Sequence, residues 1–247
     1  MSRQDFDFAR VQQYFLRHVD TLQNILFVAP VLLFSVIAHE YAHGYAALRQ
    51  GDPTALMMGR LTWNPLKHIS PFLTIIMPIV MYVALGVAIG GARPVPVNPR
   101  NYRNLRRGDI IVSLAGVAVN FALAFVCAVI IAVLGLLARA LPVAEPSIGI
   151  LQVMMWIGIQ INLALLMFNL LPIPPLDGSH VVKYLLPPSW SLRYQQVGFL
   201  GLIAIVLILR GAPGFLDWWF RPADFVAGHL QFAVRSLLTA TYHTWVS

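Results

Sequence analysis

The segment that decides the fold is ILFVAPVLLFSVIAHEYAHGYAAL, residues 25–48. It is apolar and long enough for one helix to cross a hydrocarbon core, which takes about 20 residues. His39, Glu40 and His43 nevertheless lie inside it. Ionisable side chains in a membrane helix are costly unless they bind something or line a wet cavity. The segment therefore predicts a membrane helix that carries a functional polar site.

The composition of the whole chain agrees with a membrane protein. Of its 247 residues, 58% are hydrophobic and 11% are charged, against roughly 45–50% and about 25% in globular proteins. The net charge of +7 does not indicate a nucleic-acid partner, because the basic residues lie in loops beside apolar runs. Anionic lipid headgroups and the positive-inside rule explain them better.

Four further apolar runs follow, at about 71–91, 110–138, 148–171 and 196–209. They predict an all-α polytopic membrane protein with about four to five transmembrane helices, forming a single membrane domain over residues 1–247. The catalytic core is expected within residues 25–209. The spacing of apolar residues in 1–24 and 215–247 predicts amphipathic helices on the membrane surface at both ends.

The run at 71–91 is rich in proline and glycine and is followed by the extended-looking residues 94–99. We expect it to enter and leave the membrane on one side. A topological argument favours this reading. His39 lies near the carboxyl end of the first apolar run and Asp177 lies just past the carboxyl end of the fourth, so the two can meet only if those runs point the same way. Lysine and arginine then accumulate on the side that holds the site, chiefly in 49–109. The positive-inside rule predicts a site that opens toward the cytoplasm, in the plasma (inner) membrane.

The sequence His39-Glu40-Tyr41-Ala42-His43 places two imidazoles four residues apart on a helix. That spacing puts both rings on one face, about 6 Å apart along the axis, so that one tetrahedral zinc ion can bind both. A glutamate after the first histidine commonly acts as general base toward the water on the metal. A chance helical match is the structural alternative, and the apolar surroundings weigh against it.

A catalytic zinc needs a third protein ligand and an open position for water. Asp177 is the candidate, because it follows a stretch broken by Pro172, Pro174 and Pro175 and precedes Gly178, which permits an unusual turn at the ligand. Non-helical backbone at membrane depth is tolerated where it lines a buried or wet cavity. An aspartate that caps a helix in an ordinary loop is the alternative.

On these residues the sequence resembles the site-2 protease family of intramembrane zinc metalloproteases, over roughly residues 30–210. The pairing of His39-Glu40-x-x-His43 with Leu176-Asp177-Gly178 carries the likeness. It implies that His39, His43 and Asp177 bind the metal and that Glu40 activates water. The segments at 51–54, 59–65 and 92–98 resemble the compact subgroup of the family, which lacks PDZ and CBS domains.

The resemblance also implies roles for two asparagines. Asn169 lies eight residues before Asp177 and would help to stabilise the scissile carbonyl; alternatively, its amide holds the broken helix end. Asn120 closes the segment 114–120, which is similar to a family segment with Val117 in place of proline. It would bind the substrate backbone, whereas helix packing through small residues is the alternative for Gly116 and Asn120.

We therefore expect an intramembrane zinc metalloprotease with one Zn²⁺ per chain, which cleaves transmembrane or membrane-proximal protein segments. Its partners would be the bilayer and a transmembrane protein substrate, with no nucleic acid; a homo-oligomer is left open. The rival function is a non-catalytic zinc-binding scaffold or metal carrier. The intact Glu40 and the single compact cluster of metal-binding residue types argue against that rival.

Overall fold

The computed structural model describes residues 22–85, 90–198 and 200–246. Over these residues the chain is helical and contains no β-strand, which confirms the all-α prediction. Residues 1–21, which make up most of the predicted N-terminal surface helix, lie outside the described residues.

Ten α-helices lie within the described residues, and the longest connections between them precede and follow α3 (Met77–Leu85). A π-helical turn, Pro71–Ile76, runs directly into α3. The helices are α1 Leu22–Gln50, α2 Thr54–Met57, α3 Met77–Leu85, α4 Leu105–Ala140, α5 Glu145–Asn169, α6 Asp177–Val182, α7 Pro188–Gln196, α8 Leu200–Gly211, α9 Pro213–Val234 and α10 Ala240–Val246.

Three helical stretches in the described residues are long and apolar enough to cross a membrane. They are Leu26–Gln50, Leu105–Ala140 and Pro142–Asn169. The predicted run at 196–209 forms α8, which has 12 residues and is shorter than the ~20 residues that a span needs. The predicted count of four to five spans stays a prediction beyond these three.

The chain divides into two compact units. One is formed by Val36–Val119, and the other by the described parts of Met1–Ser35 and Asn120–Ser247. Helices α1 and α4 each contribute residues to both units.

In the unit formed by 36–119, the two ends of the run at 71–91 lie side by side. The Gly91 N–H donates to the Leu73 carbonyl at 3.0 Å, and the Thr74 hydroxyl donates to the Gly91 carbonyl at 2.9 Å. A segment that enters and leaves on one side of a membrane requires such neighbouring ends. The position of this segment in a bilayer stays a prediction.

Asp52 fastens the loop that follows α1. Its carboxylate is fully buried and accepts from the backbone N–H of Thr54 at 3.1 Å, from the side-chain amide of Asn101 at 2.8 Å and from the backbone N–H of Asn98 at 2.6 Å. Burial alone would raise the pKa of Asp52, but these bonds favour the charged form and hold the pKa below its ordinary value. The turn at 52–54 and the loop at 98–101 are thereby held together.

In the other unit, the end of the chain packs against α5. The side-chain amide of Gln152 is fully buried and donates to the carbonyls of Ile131 and Leu237, while its oxygen accepts from the Thr239 N–H at 3.0 Å. Gly149 on α5 leaves room for the segment that contains Thr241, since a Cβ at position 149 would lie 2.5 Å from the Thr241 side chain. Helix α9 also contacts α5, burying Phe220 and Ala227 and other residues in the core. An interfacial position for 215–247 stays a prediction.

The buried amide of Gln152 predicts a measurable stability effect. Gln152→Leu leaves two carbonyls and one N–H without their partner, each worth about 1–3 kcal/mol when buried. We expect a clear drop in the unfolding temperature of the purified protein in detergent. Gln195→Leu is the matched control, because the exposed Gln195 amide bonds only within its own helix. Equal unfolding temperatures for the two variants would contradict the role of Gln152.

Candidate metal centre

Helix α1 brings the two predicted histidine ligands together. The spacing of four residues puts both rings on one face, and the Nε2 atoms of His39 and His43 lie 2.9 Å apart. Two nitrogens that share a tetrahedral zinc are separated by about 3.3 Å, given Zn–N bonds of about 2.0–2.1 Å. His39 is buried and His43 is half-buried. The pair therefore needs only a small adjustment to bind one ion.

A backbone carbonyl fixes the ring orientation of His43 and the tautomer of its neutral form. Its Nδ1 lies 2.7 Å from the Val112 carbonyl oxygen on α4, and because a carbonyl only accepts, Nδ1 carries the proton. The Nε2 atom of neutral His43 then has its lone pair directed toward His39. Metal-binding histidines characteristically donate their other N–H in this way, which sets the tautomer and the ring orientation.

Gly116 forms the wall behind the histidines. A Cβ at this position would lie 2.6 Å from Cε1 of His39 and 2.6 Å from Nε2 of His43. No side chain fits there without displacing a ring, so glycine lets α4 approach the imidazoles. The sequence marked Gly116 only as part of a small-residue segment, and its role at the histidines became visible only from the packing.

Glu40 lies beside the histidines on α1 and is held by an extended segment. The Val95 N–H donates to Oε2 of Glu40 at 2.8 Å. Val95 itself is buried, with Cγ1 at 2.8 Å from where a Cβ of Gly44 would be. The glycine after His43 therefore provides the space in which Val95 rests. One carboxylate oxygen of the predicted general base is fixed in position by this contact.

Asp177 belongs to the other unit, where it begins helix α6. It is half-buried, and extended Leu176 precedes it. Gly178 does not adopt the unusual turn that the sequence predicts, because it is helical and absent from the glycines with positive φ. Its physical role is close approach: a Cβ would overlap the Leu170 carbonyl.

The two predicted asparagines have different surroundings within this unit. The side-chain amide of half-buried Asn169 donates to the Leu165 carbonyl at 2.9 Å, one turn earlier in α5. This bond is the one expected of a residue that holds the helix end. Asn120 is fully buried in α4. A role of either residue toward a substrate stays a prediction.

Comparison with known proteins decides the family. The model of peptidase family M50 matches residues 27–145 and 137–209, which include His39, Glu40, His43 and Asp177. The chain belongs to peptidase family M50. It is thus an intramembrane zinc metalloprotease by family, and the predicted resemblance to site-2 proteases is confirmed.

Individual M50 relatives agree with this assignment. YwhC of Bacillus subtilis, named as a zinc metalloprotease, is 37% identical over 188 residues, covering 76% of this chain and 82% of YwhC. Rip2 of Mycolicibacterium smegmatis, with a similar name, is 31% identical over 215 residues, covering 82% of this chain and 75% of Rip2. Rip2 of Mycobacterium tuberculosis is 31% identical over 222 residues, with 86% and 79% covered. No solved structure matches the chain at a significant level.

The M50 assignment carries zinc as the expected metal, and the names of the relatives agree with it. Neither the family nor these names favour the rival function of a non-catalytic scaffold or metal carrier.

The space behind the histidines predicts the effect of one methyl group. Gly116→Ala should push the rings apart and lower zinc affinity about 10- to 100-fold, as loss of a ligand's support typically does. Zinc bound after dialysis against a metal buffer measures this. Gly228→Ala is the matched control, because Gly228 also lies in a helix and a Cβ there would meet nothing within 4 Å. Unchanged zinc binding in Gly116→Ala would contradict the prediction that a Cβ at this position displaces the histidine rings.

Proposed function

We propose that His39, His43 and Asp177 hold one zinc ion, and that Glu40 is the general base for hydrolysis of a peptide bond in a transmembrane or membrane-proximal protein segment. The observation that carries the proposal is the pair of facing Nε2 atoms, 2.9 Å apart, beside a glutamate whose carboxylate is fixed by Val95. A metal pair and a base are thus assembled in a helix apolar enough to cross a membrane.

The donor set suits a catalytic rather than a structural zinc. Two histidines and one carboxylate leave the fourth tetrahedral position for water or substrate. Closed structural sites use four protein ligands, commonly with cysteine, whereas the single cysteine of this chain, Cys127, lies buried in α4. When bound, zinc would polarise the scissile carbonyl and lower the pKa of water to ~7.

The residues of the chain supply the proton transfers. Glu40 takes a proton from the attacking water and delivers it to the leaving amine, as a general base and then a general acid. Because Oε2 of Glu40 accepts a hydrogen bond from the Val95 N–H, we assign both proton transfers to Oε1.

Asn169 is proposed to donate to the oxygen of the scissile carbonyl as negative charge develops there. An asparagine amide has two N–H groups, and the bond to the Leu165 carbonyl uses one of them. Asn120 is proposed to bind the substrate backbone.

The proposed substrate follows from the site's surroundings. His39 lies in an apolar helix with mean hydropathy typical of a span, so the scissile bond must reach a site among apolar residues. A transmembrane helix shields its own amide bonds by hydrogen bonding and must unwind before cleavage. Residues of low helix propensity in the substrate, such as glycine and proline, should therefore favour cleavage.

We also propose that the site opens toward the cytoplasm in the plasma membrane. Exposed basic residues are concentrated in the loop between α3 and α4 and in the first turn of α4, and the positive-inside rule assigns such regions to the cytoplasm. The residues are Arg93, Arg100, Arg103, Arg106 and Arg107.

Two substitutions separate the metal ligands from the base. Glu40→Gln should retain stoichiometric zinc but lose cleavage of a reconstituted membrane substrate by several orders of magnitude, because the amide cannot accept a proton. Asp177→Ala should lose both zinc and cleavage. Zinc content by elemental analysis and cleavage in proteoliposomes measure these outcomes. Cleavage by Glu40→Gln at the wild-type rate would discard the base, and full zinc in Asp177→Ala would remove that ligand.

Single cysteines test the orientation, in a Cys127→Ala background. Met57, Arg100 and Val143 are exposed, and cysteines there should react with a membrane-impermeant maleimide. Met57→Cys and Arg100→Cys should label only in inverted vesicles, and Val143→Cys only in intact cells, because α4 lies between these loops. Labelling of the first two positions from opposite sides would refute a re-entrant 71–91.

A further inference from the structure

The segment that touches Glu40 is extended because of its own sequence. Residues 93–97 read Arg-Pro-Val-Pro-Val. Each proline restricts its own φ and disfavours helical backbone for the residue before it. Arg93 and Val95 both precede proline, so both are driven to extended backbone. Asn98, at the far end, donates its N–H to the buried Asp52 carboxylate at 2.6 Å.

Arg60 fastens the near end of this segment. Its guanidinium is buried, with 8% of the residue exposed. One terminal nitrogen, Nη2, donates to the Arg93 carbonyl at 2.9 Å and lies 3.4 Å from the Pro94 carbonyl. On the same stretch, the Arg93 N–H donates to the His68 carbonyl at 2.7 Å. The Arg60 side chain and the His68 carbonyl, both in the loop at 60–68, thus bind backbone groups of the segment.

The contacts of Arg60 and Glu40 meet on one peptide group. The Pro94 carbonyl and the Val95 N–H belong to the same planar unit and point in opposite directions. Arg60 lies on the carbonyl side, and Glu40 accepts from the N–H side. Any rotation of this plane weakens both contacts together, so the guanidinium and the carboxylate are coupled through a single peptide bond.

The charges of Arg60 and Glu40 interact, and this interaction affects the pKa of Arg60. Burial and the neighbouring Arg93 lower the pKa of Arg60, while the Glu40 carboxylate acts in the opposite direction. An arginine remains protonated under such shifts. The buried cation therefore stays available as a charged hydrogen-bond donor, and such bonds are roughly twice as strong as neutral ones.

We propose that Arg60 is a positioning residue for catalysis: it holds the Pro94–Val95 peptide so that the Val95 N–H fixes Oε2 of Glu40 and Oε1 faces the water that is deprotonated. The proposal rests on the proposed role of Glu40 as general base. Arg60 itself touches neither substrate nor reacting atoms. It acts on the rate of the chemical step through the backbone of 93–95.

Arg60→Gln tests this role, because it removes the charge and shortens the side chain that reaches the Arg93 and Pro94 carbonyls. We expect kcat to fall about 10- to 100-fold, as loss of a supporting contact typically does, with KM and zinc content changed less than twofold. Arg60→Lys keeps a cationic donor and should recover part of the rate. Lys67→Ala is the matched control, because Lys67 is an exposed cation in the same loop, and it should leave kcat unchanged.

Hydrogen exchange gives a readout that does not depend on activity. Because Pro94 and Pro96 have no N–H, a peptide covering 94–97 reports only the Val95 and Val97 amides. In the wild-type protein the Val95 amide, which is hydrogen-bonded to Glu40, should exchange slowly. In Arg60→Gln it should exchange at least about tenfold faster. If the wild-type protein cleaves nothing, the proposed function fails, and this comparison alone still decides whether Arg60 holds the peptide.

A pair of substitutions at Val95 closes the test. Val95→Pro removes the N–H while keeping extended backbone, and Val95→Ala keeps the N–H while removing most of the side chain. The kcat of Val95→Pro should fall as in Arg60→Gln, and the double variant should lose no more than the worse single one. Additive losses, unchanged exchange in Arg60→Gln, unchanged kcat, or loss of zinc in Arg60→Gln would each overturn the proposal.

Discussion

The structure depends on one constraint, which is that polar groups in an apolar helix must be satisfied by the protein itself. Two imidazoles and a carboxylate on one turn of α1 would be costly to insert into hydrocarbon. Two of these three groups, His43 and Glu40, have a partner supplied by an element far away in sequence. His43 donates to the Val112 carbonyl of α4, and Glu40 accepts from Val95. The ring of His43 and the carboxylate of Glu40 are therefore held in position by the protein itself.

Glycines make these contacts close enough to work. Gly44 and Gly116 sit where any side chain would strike Val95 or the imidazoles. Small residues at helix interfaces let backbones approach closely, and in membranes this packing replaces much of the hydrophobic driving force. Gly178 acts in the same way beside the Leu170 carbonyl. Within the unit formed by 36–119, the polar groups of α1 are thus bounded by two positions, Gly44 and Gly116, that tolerate no Cβ.

The sequence predicted the parts of the fold that depend on periodicity and length. The all-α class and the helix that carries His39 and His43 follow from the apolar runs and from the spacing of the histidines. The relation of Gly116 to the histidines and of Arg60 to Glu40 could not be predicted, because both depend on which backbone atoms meet across long sequence separations. Gly178 was singled out for the wrong reason, since crowding and turn geometry look alike in a single sequence.

The alternation of proline in Arg93-Pro94-Val95-Pro96 has a consequence for solubility. In an extended chain, successive residues direct their main-chain groups to opposite edges, and here Arg93 and Val95 use theirs toward His68 and Glu40. The main-chain groups at the other edge are those of Pro94 and Pro96, which have no N–H to donate. A second extended chain would therefore find no N–H donor at that edge, so the two prolines prevent this segment from acting as a template for β-pairing.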